Sequence, residues 1–106
     1  MIVLGIDPGL RKTGYGLVKN KAGQPEFISA GIVDLEKYTD RHSKLYFLFE
    51  SLNEIIEKYK PSAISLEMVF TGKNIKSAFL IGEARAVSII SGKKFNLNVY
   101  EYSARA

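Results

Sequence analysis

The chain opens MIVLGIDPGLRKTGYG, an apolar run from Met1 to Ile6 that drives into Asp7 and is then turned by Pro8 and Gly9. Apolar residues at successive rather than alternate positions predict a strand over Met1–Asp7 with apolar residues on both faces, hence central in a sheet. A second strand is expected over Thr13–Lys19. A third, rich in β-branched and aromatic side chains, is expected over Glu26–Leu35, with NKAGQP as the loop between them. Short turns join the three, which predicts an antiparallel meander.

The period then changes. Leu45, Leu48, Phe49, Leu52, Ile55, Ile56 and Tyr59 recur at threes and fours, the stripe of an amphipathic helix. Thr39 or Asp40 can cap its start, and Pro61 stops it. SAISLEMVF follows as a strand that again runs into an acid, Glu67. Asn74 caps a second helix to about Ser91, and FNLNVYEY is a fifth strand. The order β-β-β-α-β-α-β predicts one α/β domain over residues 1–106 with a mixed five-stranded sheet, its two helices crossing over to parallel strands. The second helix is expected to lay Ile75, Phe79, Gly82, Ala86, Ile89 and Ile90 on the sheet. Its other face (Ser77, Leu80, Ile81, Ala84, Ser88) has little charge for a wet surface. Two readings are open there: a crowded core helix, or a dimer interface through Leu80, Ile81 and Ala84.

Composition narrows the class. The 106 residues are 46% hydrophobic and include no cysteine, which excludes a disulfide scaffold and cysteine metal sites and fits a reducing compartment. Met1–Ile6 is too short for a secretory h-region and no apolar stretch reaches membrane-spanning length, so a cytoplasmic protein without a membrane partner is expected. The net charge of +4 permits a polyanionic partner without requiring one.

The chemistry rests on the two acids. A carboxylate at the end of a buried strand costs desolvation unless something offsets it. Taken singly, Asp7 is an ordinary Asp-Pro-Gly turn residue, and Glu67 has Lys73 or Arg85 as a possible ion partner. Taken together, they fall at the carboxyl ends of neighbouring strands if the first and fourth strands are adjacent, the edge where open α/β sheets bind ligands. Two close carboxylates repel, so one is protonated or a cation lies between them. The single histidine, His42, lies on the wrong side of a helix start. Oxygen donors alone select Mg²⁺ or Mn²⁺, with water and substrate phosphate completing the shell. That points to phosphoryl transfer, including phosphodiester hydrolysis by two ions about 4 Å apart. Phe70 is either packed or an exposed platform for an unpaired base, worth about 1–3 kcal/mol. Arg11, Lys12 and Lys73 are either surface charges or phosphate contacts. Gly14 and Gly16 either allow tight sheet packing or let a phosphate backbone come near Asp7.

GIDPGLRKTGYG, LEMVFTGKNIKSAFLIGEARAV and VYEYSARA together resemble the RuvC family of Holliday junction resolvases, over essentially the whole chain. The resemblance implies a ribonuclease-H-like fold. It also implies a Mg²⁺-dependent endonuclease, with Mn²⁺ as substitute, that resolves four-way DNA junctions in recombination and repair. Such a protein is a homodimer and works with a branch-migration helicase complex. Asp7 and Glu67 resemble the family's first two catalytic, metal-binding acids. Phe70 resembles the aromatic that meets bases at the junction, and Lys73 and Asn74 match the loop after it. The family adds two acids on a last helix, preceded by basic residues. This chain ends at EYSARA, so the C-terminal helical part is expected to be missing and the chain alone to be inactive. Glu83 stands where the family has a neutral amide, adding negative charge near DNA or pairing with Lys76 or Arg85. Two rivals remain. An ATP-binding module of the actin and sugar-kinase superfamily shares the opening order, but it needs a Thr- and Ser-rich phosphate hairpin where Pro8, Leu10, Arg11 and Lys12 stand. The other rival is a non-catalytic DNA-binding domain of the same fold.

Overall fold

A computed structural model describes residues 1–68 and 74–103. The elements run β1 (Ile2–Asp7), β2 (Lys12–Lys21), β3 (Gln24–Asp34), α1 (Arg41–Tyr59), β4 (Ala63–Met68), α2 (Ile75–Lys94) and β5 (Asn98–Ser103). The five strands form one sheet in the order β3-β2-β1-β4-β5. β1 and β2 pair antiparallel, as do β2 and β3, whereas β4 runs parallel to both β1 and β5. β1 is therefore central, as its unbroken apolar run requires.

The β2–β3 hairpin is longer and its loop shorter than the sequence predicts. Lys21 pairs with Gln24, leaving Ala22 and Gly23 as the turn. Their φ values of 54° and 81° are both left-handed, the backbone of a two-residue primed turn that matches strand twist. Ala22 carries no sequence signal for that conformation. Between Leu17 and Val18 the register slips, because Leu17 faces Ser29 while Val18 faces Phe27, so Ile28 is the extra residue of a bulge.

α1 starts at Asp40, whose carboxylate accepts the Ser43 N–H at 2.8 Å. It ends at Lys60, left-handed at φ 50°, immediately before Pro61. α2 is capped by Asn74, whose side chain accepts the Ser77 N–H at 3.1 Å. The turn after α2 (Phe95–Leu97) bonds back to Gly92 and Lys93, which shortens the fifth strand at its start relative to expectation.

Leu48, Leu52 and Ile56 of α1 form one buried cluster with Ala84 of α2, Leu4 and Ile6 of β1, Leu17 of β2, and Ile64 and Leu66 of β4. Both helices thus cover the same face of the sheet. Strand alternation sends Val3, Gly5 and Asp7, with Ser65 and Glu67, to the opposite face. Among the described residues, nothing in regular structure covers that face.

The faces of α2 are inverted relative to expectation. Ala84 is fully buried, together with Ser88, Ser91 and Gly92. Leu80 and Ile81 are half-buried. Ile75, Phe79 and Ile90 stand 91%, 62% and 57% exposed, with Gly82 and Ala86 also exposed. The physical reason is size. A helix lying close on a sheet needs small side chains at the contact, and a Cβ on Gly92 would meet Ile64 Cδ1 at 2.8 Å and Val99 Cγ2 at 2.9 Å. Ser88 is cheap to bury because its hydroxyl donates to the Ala84 carbonyl at 2.9 Å. Ala84 belongs to this chain's own core and cannot face a partner.

Candidate active site

Ile6 of β1 lies beside Leu66 of β4. One residue further, Asp7 and Glu67 stand side by side on strands about 4.8 Å apart. Both line an open cleft of about 390 Å³ on the uncovered face, floored by Gly5, Gly14, Gly16 and Ser65 and bordered by Val3, Val18 and Tyr102. Asp7 is exposed and Glu67 half-buried. Among the described residues, no ion pair or side-chain hydrogen bond engages either carboxylate. Arg85, one of the partners considered for Glu67, instead donates to Glu101 on the helix-covered side. Two unpaired carboxylates facing a solvent-filled cleft are a donor set suited to a hard divalent cation. They fall short of a closed cage, since among the described residues no third His, Asp or Glu joins them.

The floor answers the question left open for the glycines. A Cβ at Gly14 would touch only Asp7 Cβ, at 3.9 Å, and one at Gly16 would meet nothing within 4 Å. Packing inside the described chain requires neither glycine. Their smallness keeps the cleft deep beside Asp7.

The turn leaving Asp7 is tightly held. Pro8 is buried. A Cβ on Gly9 would fall 2.5 Å from the Lys12 carbonyl oxygen, so the turn closes only on glycine. Arg11 and Lys12, expected near the acidic edge, both reach Glu36. The Arg11 guanidinium lies 2.8 Å, and the Lys12 ammonium 3.6 Å, from its carboxylate. The Arg11 hydrogen bond, then its charge, holds the Glu36 carboxyl below its ordinary pKa and raises that of Arg11. All three groups are solvent-exposed, so the pairing is weak enough for a phosphate to compete. Nothing in the sequence pattern pointed to Glu36. Tyr102 was legible in principle, because it pairs with Glu67 in register and shares its face.

Glu83 pairs with Arg41 at 3.0 Å, tying α2 to α1, rather than with Lys76 or Arg85. Asn74 spends its side-chain oxygen on the α2 cap. Phe70 and Lys73 lie outside the described residues. A second cleft, about 440 Å³, lies between β3 and α1 and mixes Asp34 and Glu54 with Lys37. Phe47, Ser51, Glu54 and Ile55 of α1 form its other wall.

A mixed sheet ordered β3-β2-β1-β4-β5, with acids ending its two central strands and helices packed on one face, defines the ribonuclease-H-like class. The sequence model of the crossover junction endodeoxyribonuclease RuvC family matches residues 3–106, and the chain belongs to that family. A crossover junction endodeoxyribonuclease RuvC from Saccharophagus degradans is 43% identical over 104 residues, 98% of this chain and 60% of that protein. Thermus thermophilus RuvC, solved in complex with a Holliday junction substrate, superposes with a TM-score of 0.88 at 20% identity, covering 98% of this chain and 65% of that one. The yeast mitochondrial Holliday junction resolvase superposes at 0.72 with 16% identity, covering 95% and 50%. The ATP-binding module is the weaker reading. The chain spans about 60% of the length of the curated relative from Saccharophagus degradans.

Proposed function

We propose that this chain carries the first two catalytic acids of a divalent-metal-dependent endonuclease that cleaves four-way DNA junctions during recombination and repair in the cytoplasm. The observation that carries the reading is the pair Asp7 and Glu67, side by side at the ends of adjacent strands and open to one cleft, in a chain of the RuvC family. Their carboxylates would hold Mg²⁺, or Mn²⁺ in its place, with water and DNA phosphate filling the remaining positions. Ions bound there supply activation of water and neutralisation of charge on the leaving oxygen. The glycine floor lets the phosphate backbone approach the acids. Arg11 and Lys12 exchange Glu36 for phosphate, which orients the duplex arm without reading its sequence.

A two-fold dimer suits a two-fold junction. The exposed stripe Ile75, Phe79, Gly82, Ala86 and Ile90 of α2 is the face we assign to it, in place of Leu80, Ile81 and Ala84. Gly82 supports this choice. It weakens the middle of a helix, yet no atom among the described residues comes near enough to explain it.

The test uses the full-length protein. Asp7→Asn and Glu67→Gln should abolish junction cleavage and leave junction binding largely intact, because affinity comes chiefly from basic contacts to the backbone. Normal cleavage by Asp7→Asn in Mg²⁺ overturns the reading and returns Asp7 to the role of a turn residue.

A further inference from the structure

Thr13, the second residue of β2, lies on the helix-covered side of the sheet and is fully buried. Its hydroxyl donates to the Gly9 carbonyl at 2.7 Å and accepts the Gly9 N–H at 3.1 Å. One side-chain oxygen therefore satisfies both backbone polar groups of Gly9, two residues past Asp7. The two ends of the turn are held separately. The Arg11 carbonyl accepts the Leu35 N–H at 2.9 Å, and Asp7 itself pairs with Gly14 across β1 and β2. Without the Thr13 hydroxyl, the Arg11 carbonyl would be the one backbone group of the Gly9–Arg11 stretch anchored among the described residues.

A turn residue that binds metal needs a fixed backbone, because its carboxylate reaches the ion through only two side-chain torsions. We propose that Thr13 is a positioning residue for Asp7: its buried hydroxyl locks Gly9, and through it the direction in which the Asp7 carboxylate enters the cleft. Thr13 touches neither substrate nor metal. Its methyl fills space in the core, while its hydroxyl serves the turn, so the two contributions are separable by substitution. The inference rests on Asp7 being a metal ligand.

The experiment compares Thr13→Val, which keeps the shape and removes the hydroxyl, with Thr13→Ser, which keeps the hydroxyl and removes the methyl, both in the full-length protein. Three quantities are read: the Mg²⁺ concentration for half-maximal junction cleavage, the Mn²⁺ concentration that broadens the Gly9 and Gly14 amide resonances, and the melting temperature. Partners that orient a metal ligand typically change metal affinity about 10- to 100-fold. Thr13→Val should raise both metal concentrations by that factor, and Thr13→Ser should hold both near the parent values even if it melts earlier. The proposal is overturned if the valine variant keeps the parent's metal dependence, or if the two variants lose metal affinity alike in step with stability. If Thr13→Val fails to fold, Thr13→Ala against Thr13→Ser reads the same hydroxyl. Asp7→Asn is run alongside. Should it still cleave, the site reading falls, whereas an inactive Asp7→Asn beside an unaffected Thr13→Val removes only the role given to Thr13.

Discussion

Gly82 offers a perturbation whose sign differs between the isolated fold and its association. It sits inside α2, where a methyl group would meet nothing among the described residues within 4 Å. Replacing an exposed mid-helix glycine by alanine removes backbone freedom from the unfolded chain and gains about 0.8–1 kcal/mol. In a domain of this size that raises the melting temperature by about 4–8 °C. The same methyl lies in the stripe assigned to a second copy of the chain. If the partner approaches closely there, overpacking by one methyl costs about 1–3 kcal/mol, a roughly 5- to 150-fold weaker dimer. Circular dichroism melts at a concentration low enough to dissociate the protein, with sedimentation velocity over a concentration series, read the two effects separately. Gly82→Ala should melt higher when dilute and associate more weakly. A lower dilute melting temperature refutes the open placement of Gly82. A higher one with unchanged association removes the stripe as the interface.

Gly92→Ala should behave oppositely, because its methyl collides with Ile64 and Val99; overpacking outweighs the helix gain and a net loss of about 1–2 kcal/mol is expected in a urea titration. The Asp40 carboxyl is held below its ordinary pKa chiefly by the Ser43 N–H. Its capping contribution is therefore present above the unfolded pKa and is lost as pH falls through the folded one. Helicity of the protein should fade over that acidic range, and Asp40→Asn should flatten this part of the profile. Glu36→Gln releases Arg11 and Lys12. In the full-length protein junction binding should tighten and its salt dependence steepen, and an unchanged salt slope would show that neither cation reaches phosphate.

The strand order and the acid pair were legible because each is written in chemistry that only one arrangement satisfies. Met1–Ile6 has no polar side to show to water, so it must be central. Two such strands each running into an acid place Asp7 and Glu67 together once a crossover makes the strands parallel. The faces of α2 were not legible, because the helix is apolar nearly all round and period alone selects no face. What decides is volume: Ala84, Ser88 and Gly92 fit against β4 and β5, where Phe79 does not. The ion pairs of Glu83 and Glu36 were missed for a related reason. Their partners, Arg41 and Arg11, are brought near by the fold, and nothing at helical or strand spacing announces them.

The pairing of β1 with β4 joins Val3 to Ala63, a longer stretch of chain than any other strand pairing in the sheet closes. Closing it costs the most chain entropy, whereas the β2–β3 hairpin and α1 draw on neighbours in sequence. The two acids belong to the two sides of that seam. A chain that has formed the hairpin and α1 but has not zipped the seam presents Asp7 and Glu67 as unrelated surface charges. Assembly of the acid pair thus waits on the longest chain closure in the sheet, and the site is among the last features the fold brings together.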